Sequence, residues 1–146
     1  MPGPRAAGSV TLHQASCVAI GGRGLLIEGP PSSGKSSLAL TLIDRGATLV
    51  GDDGVLLEAR DGRLWALPPP NIAGLLEIRN VGLASLPAEP APVALVVQLD
   101  PAAPRFAEQA EQAVRGSLPV PLIRLWPDSP ILALRAEWAL TLHGIA

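Results

Sequence analysis

A single cysteine, Cys17, leaves no partner for an internal disulfide and too few thiolates for a cysteine-based metal cluster. It reads as a buried core thiol. Aromatic side chains are as sparse: Phe106, Trp65, Trp126 and Trp138, with no tyrosine, are too few and too scattered for a base-stacking platform and read as packing anchors. No run of about eighteen apolar residues suggests a membrane span. Residues 1–8 carry one arginine and no apolar stretch, so no secretory signal is expected, and a cytoplasmic protein is the simplest reading. A net charge of −2 with dispersed arginines provides no basic stripe for nucleic acid. Sixteen prolines and fifteen glycines are spread without repeats or low-complexity blocks, which predicts many short elements joined by turns. With 146 residues and 48% hydrophobic content, the chain is expected to be one domain, 1–146, with a substantial core.

Lysine is the scarcest charge. Lys35 stands alone against ten arginines, and it falls inside Gly29-Pro30-Pro31-Ser32-Ser33-Gly34-Lys35-Ser36, which fits G-x-x-x-x-G-K-[ST]. Glycines at both ends let the backbone curl so that N–H groups face a polyphosphate; the lysine adds a point charge and Ser36 an oxygen for Mg²⁺. Leu25-Leu26-Ile27 before it reads as a buried strand, and Ser37 to Arg45 after it as a helix closed by Gly46. A bound anion would then lie at a helix N-terminus. Pro30 and Pro31 lack N–H groups, so the amides of Ser33 to Ser36 are expected to do the binding.

Ser9 to Ile20 reads as a first strand or hairpin arm ending at Gly21-Gly22, with His13 either a structural residue or part of a site. The apolar run at 47–51 ends in Asp52-Asp53, two adjacent acids that could divide metal binding from activation of an acceptor, or merely open a turn. Asp61-Gly62 predicts a hairpin between 55–60 and 63–67. In the stretch 72–79, Glu77 and Arg79 share a face if it is extended. The strand 93–99 ends at Asp100, a rival for the metal-side acid. Residues 101–116 predict a loop and then a weak helix with Phe106, Ala110, Ala113 and Val114 as its apolar stripe; Leu118 to Leu125 predicts a strand near an edge because of its prolines. Asp128 is the expected cap of a last helix, 131–142, with Leu134, Trp138 and Leu142 as its apolar row.

The order of these motifs resembles the HPr kinase/phosphorylase family, in a short form lacking the N-terminal domain. The residues that carry the resemblance are His13, GPPSSGKS at 29–36, LIDRGATLVGDD at 42–53 and LLEIRNVGL at 75–83. It implies an α/β fold, a single phosphate-loop domain with a mixed central sheet similar to that of phosphoenolpyruvate carboxykinase. It also implies a protein-serine kinase that uses ATP and Mg²⁺ on an HPr-type phosphocarrier of the phosphotransferase system, in a homo-oligomer that is often hexameric. By the same resemblance, Gly29, Pro30, Pro31, Ser32, Ser33, Gly34, Lys35, Ser36 and Ser37 hold the nucleotide. Ser36, Glu77 and Asp53 hold the metal, and His13, Lys35, Asp52, Asp53, Arg79 and Arg105 are catalytic, with Asp53 the first choice of base. Ser37 stands where the family usually has glutamate, and Asn80 where it has glycine. Residues 119–124 keep only the beginning of the segment associated with phosphorolysis. The alternatives are a phosphate-loop kinase for a small metabolite and a nucleotide-sensing module without turnover.

Overall fold

The computed structural model describes residues 10–146, so Ser9 and the leading segment lie outside the described residues. Among the described residues, nine strands form one mixed sheet and two more form a separate small hairpin. In chain order the elements are β1 (Val10–His13), β2 (Ser16–Ile20), β3 (Arg23–Glu28), α1 (Lys35–Asp44), β4 (Thr48–Gly51), β5 (Val55–Arg60), β6 (Arg63–Leu67), β7 (Leu75–Ile78), β8 (Gly82–Ser85), β9 (Ala91–Leu99), β10 (Glu111–Arg115), β11 (Leu118–Leu125) and α2 (Leu132–His143). Among the described residues, neither helix is long and apolar enough to cross a membrane.

β9 organises the sheet. Its run of Val93 to Val97 is buried on both faces, as expected of a strand with parallel neighbours and covering layers. One edge takes β3 in parallel, from Gly24↔Val93 to Glu28↔Gln98. The other edge is shared: β6 pairs antiparallel with Ala91 and Pro92, and β11 pairs parallel from Val96 to Leu99. Pro119 and Pro121 therefore fall where β11 does not pair with β9, which reconciles its prolines with an interior place. The β2–β3 hairpin turns at Gly21-Gly22, both at positive φ, and β2 goes on to pair with β4.

The pleat sorts the core into two layers. Leu25, Ile27, Leu95, Val97 and Leu99 face α1 and α2, against Leu38, Leu42, Ala136 and Leu140. Leu26, Val93 and Val96 face the opposite way, where β5 and β6 supply Val55, Leu57, Leu64 and Ala66. Cys17 packs in this second layer, and burial pushes its thiol up to about 12. The expected hairpin at 55–67 is present as β5 and β6, closed by Arg60↔Arg63.

Three further expectations fail. No helix forms in 101–116: Glu111 to Arg115 is β10, paired with β11 through Gly116-Ser117, both at positive φ, a two-residue turn that suits a hairpin. Phe106 and Val114 are exposed rather than part of a stripe. The last helix forms, but Ala133, Ala136, Ala139 and Leu140 face the core while Leu134, Trp138 and Leu142 face outward. Asp128 makes no cap, and the N–H of Ile131 donates to Ser129 Oγ (3.2 Å).

Gly51 ends β4 in a space that admits no side chain: a Cβ there would lie 2.5 Å from the Gly54 carbonyl oxygen and 2.6 Å from Val55 Cγ1. Gly51→Ala is expected to lower stability by about 1–3 kcal/mol through overpacking, measured by urea denaturation against the unaltered chain.

Candidate active site

β3 is buried from Gly24 through Glu28 and delivers the chain into the glycine-rich loop. Gly29 has to lack a side chain, since a Cβ would come 2.5 Å from Ser33 Oγ and 3.2 Å from Leu99 Cβ. The loop closes through Ser33 N–H to the Pro30 carbonyl (3.1 Å), with Ser32 and Gly34 at positive φ. α1 then starts at Lys35 with no side-chain cap and no acid in its first turn. Its first N–H groups have no intrahelical acceptor, which leaves a local positive end. The Lys35 ammonium donates to the carbonyls of Gly29 (3.0 Å) and Pro30 (3.1 Å), so it is folded over its own loop. Among the described residues, Ser33 Oγ is buried without a hydrogen-bond partner.

The two adjacent acids have different surroundings. Asp52 is buried. Its Oδ1 accepts from Ser36 Oγ (2.6 Å) and from Ser16 Oγ (3.0 Å), and its Oδ2 from the backbone N–H of Glu77 (3.3 Å). Asp53 is exposed, at φ 59, and its N–H donates to Ser16 Oγ (3.3 Å). The carboxylate that meets Ser36 is thus that of Asp52, whereas the resemblance placed Asp53 with Ser36. Glu77 reaches the cluster through its backbone, its side chain being exposed. It is brought there by the small β7–β8 hairpin, anchored by buried Leu76 and by the segment behind it, where Glu89 N–H donates to the Leu49 carbonyl of β4 (3.1 Å).

A second cluster sits at the foot of the loop. Glu28, the last residue of β3, accepts a two-pronged contact from Arg115 (2.7 and 2.9 Å) and lies 2.7 Å from His13 Nε2. Burial alone would raise the Glu28 carboxyl, but hydrogen bonds from Arg115 and His13 and their charge outweigh it and hold the group at about 2. His13 is thereby tied to the residue preceding Gly29.

The remaining expected residues lie apart. Arg79 is exposed on the turn after β7 and, among the described residues, makes no ion pair. Arg105 lines a cleft of about 330 Å³ with Pro104, Arg124, Leu125, Trp126 and Arg135, and no residue of the glycine-rich loop borders it. Asp100 caps its strand, accepting from Ala102 N–H (2.8 Å) and Arg124 (3.2 Å). Three contributors escaped the sequence reading. Ser16 was signalled only by being polar within the apolar run after Ala15; Glu28 and Arg115 carry no motif and are joined only in the folded chain.

The oxygen donors Ser36 and Asp52 suit a hard divalent cation. Ser33 Oγ, Lys35 and the opening amides of α1 suit an anion beside it. Among the described residues, no group of three or more His, Cys, Asp or Glu side chains could hold a metal unaided. Any ion here would need further ligands from solvent or from a bound phosphate, as Mg²⁺ commonly takes.

Fold and site define a mixed, curled α/β domain with a strand–glycine loop–helix unit at the edge where its parallel strands end. Residues 5–88 match the family model described as the HPr Serine kinase C-terminal domain, more than half of the sequence, and the chain belongs to that family. It is 45% identical over 67 residues to an HPr kinase/phosphorylase of Clostridium novyi, covering 46% of this chain and 22% of that protein. It is 38% identical over 97 residues to one from Streptococcus agalactiae, covering 58% and 31%. The chain thus spans less than a third of the length of these curated relatives. The structure titled as the Hpr(Ser) kinase/phosphatase from Coxiella burnetii superposes with a TM-score of 0.78 at 27% identity, covering 90% of this chain and 88% of that one.

The depressed Glu28 carboxyl has a pH signature. Its stabilisation is fully present above the ordinary value of 4.5 and is lost as pH falls from there toward about 2. Glu28→Gln is expected to be less stable than the parent at pH 7 by on the order of 2–3 kcal/mol. Denaturation at stepped pH should show the two curves converging below pH 4.5.

Proposed function

We propose that this domain is an ATP- and Mg²⁺-dependent protein-serine kinase whose acceptor is an HPr-type phosphocarrier protein. The observation that carries the proposal is the 2.6 Å hydrogen bond from Ser36 Oγ to buried Asp52. It joins the hydroxyl that follows the loop lysine to an acid at the end of a neighbouring strand, the pairing expected of a metal site beside a phosphate loop. Membership of the HPr Serine kinase family supports the choice of acceptor.

In this reading the residues from Gly29 to Ser37 bind the nucleotide. Lys35 leaves the carbonyls of Gly29 and Pro30 to neutralise the outer phosphates, and Ser33 Oγ gains the partner it lacks. Ser36 and Asp52 would hold the metal, with the Glu77 side chain as a further ligand; when bound, Mg²⁺ would neutralise charge on the transferring phosphoryl group. Asp53 takes the proton from the acceptor serine hydroxyl as its oxygen attacks phosphorus in line and the bond to the leaving ADP breaks. The two acids thereby divide: the inward one is already committed to Ser36, and the exposed one is open to an incoming protein. His13, held by Glu28, stands near the transferred group. Arg79, in the family's signature stretch, faces the acceptor, and Arg105 would serve the acceptor or a free phosphate from its separate cleft.

Incubation with labelled ATP and purified HPr-type proteins is expected to place label on a protein serine. Lys35→Met should reduce transfer at least about 10²-fold. Asp53→Asn should bind nucleotide normally and transfer almost nothing. Label on a small metabolite alone, or nucleotide binding without transfer to any acceptor, would contradict the assignment, and substantial activity in Asp53→Asn would remove the base.

A further inference from the structure

The cluster at the foot of the glycine-rich loop joins three strands that lie far apart in sequence. Glu28 ends β3, His13 ends the edge strand β1, and Arg115 ends β10. β3 turns Leu26 into the β5–β6 layer, and Glu28, two residues on, shares that face. Arg115 is delivered from this side as well: the Gly116 that follows it is seated against β6, where a Cβ would lie 2.7 Å from Leu64 Cδ1. Ser16, by contrast, pairs with Ile27, whose side chain packs with α1, and it gathers with Ser36 and Asp52. The loop thus has a different cluster on each face of the strand that feeds it.

His13 links the Glu28 cluster to the outward acid. Its backbone pairs with Val55, two residues beyond Asp53, and its ring reaches Glu28, the residue before Gly29. Its tautomer follows from its partner. With its carboxyl at about 2, Glu28 is ionised and can only accept, so Nε2 carries the proton of the 2.7 Å contact. Among the described residues Nδ1 has no hydrogen-bond partner and is left for a ligand.

A bare carboxylate at Glu28, one residue before a loop that takes a polyphosphate, would repel the ligand. Arg115 offsets it. Its Nε and a terminal nitrogen take both Glu28 oxygens, at 2.9 and 2.7 Å, and among the described residues it pairs with no other acid. The planar fork also holds the carboxylate in one orientation toward His13.

We infer that Glu28 and Arg115 are a positioning pair for phosphoryl transfer: Glu28 fixes His13 between the loop and Asp53, and Arg115 cancels the charge that Glu28 brings to the phosphates. The first half rests on the proposed kinase activity; the second needs only nucleotide binding at the loop.

Calorimetric titration of ATP with Mg²⁺, together with kcat for transfer to an HPr-type protein, tests both halves on the whole chain at pH 7, with urea denaturation to confirm folding. Arg115→Gln, which leaves the carboxylate bare, is expected to weaken ATP roughly tenfold; Arg115→Lys, which keeps the charge without the fork, less than about threefold. Adding Glu28→Gln to Arg115→Gln should return the affinity to within about twofold of the parent, a recovery that lost packing would not produce. Glu28→Gln alone, which frees the guanidinium, should bind ATP at least as tightly as the parent, and this arm stands if Arg115→Gln does not fold. The same Glu28→Gln should lower kcat about tenfold in the parent and leave it unchanged in a His13→Ala chain, because the effect runs through the imidazole. Unchanged affinity in Arg115→Gln, no recovery in the double variant, weaker ATP binding by Glu28→Gln, or an equal loss of kcat with and without His13 would each overturn the inference. A parent that binds ATP but labels no acceptor would contradict the proposed function and with it the role given to His13, while the titrations still decide the role of Arg115. A parent that binds no ATP would overturn both.

Discussion

The buried carboxylate of Asp52 is the constraint on which the site depends. An ionised acid removed from water is costly unless its oxygens are met by donors. Here they are met from three directions: Ser36 at the start of α1, Ser16 at the start of β2, and the backbone of Glu77 on β7. One residue thereby fixes the helix that follows the glycine-rich loop, the strand beside β4 and the small hairpin. Gly51 makes the arrangement possible, because the turn beyond β4 is too tight for a Cβ. The same turn leaves Asp53 outside, in a left-handed conformation that aspartate tolerates better than most residues.

Electrostatics at the sheet edge follow from this. β3, β9 and β11 run parallel and end together, the edge at which open α/β sheets commonly bind ligands. The acids flanking the loop are both satisfied, Asp52 by hydroxyls and an amide, Glu28 by Arg115 and His13. Among the described residues, Lys35, by contrast, has only carbonyl partners, and the opening amides of α1 have no side-chain cap. An anion therefore meets uncapped amides, and Lys35 reaches it by exchanging its two carbonyl partners for the anion's oxygens.

How much of this was legible in the sequence depends on how local the determinants are. The loop, the strand before it, the helix after it and the Asp61-Gly62 hairpin are set by residues a few positions apart, and all are found where expected. β10 was missed because its strand character comes from pairing with β11 across Gly116-Ser117, a turn whose paired positive φ values the dipeptide did not announce. The leucine and tryptophan row of α2 was a true helical period with the wrong face assigned to the core, since small alanines let the helix approach the sheet closely. Asp52 and Asp53 were legible as a pair, but their division is decided by which one turns inward to Ser36. Ser16, Glu28 and Arg115 join the site only through contacts between distant strands.

The central claim is that the inward acid serves the metal and the outward acid serves the acceptor. Calorimetric titration of ATP with and without Mg²⁺ into Asp52→Asn and Asp53→Asn addresses it most directly. The account predicts that Asp52→Asn loses most of the affinity gained from Mg²⁺ while Asp53→Asn keeps it. The opposite pattern, with the gain abolished only in Asp53→Asn, would contradict it.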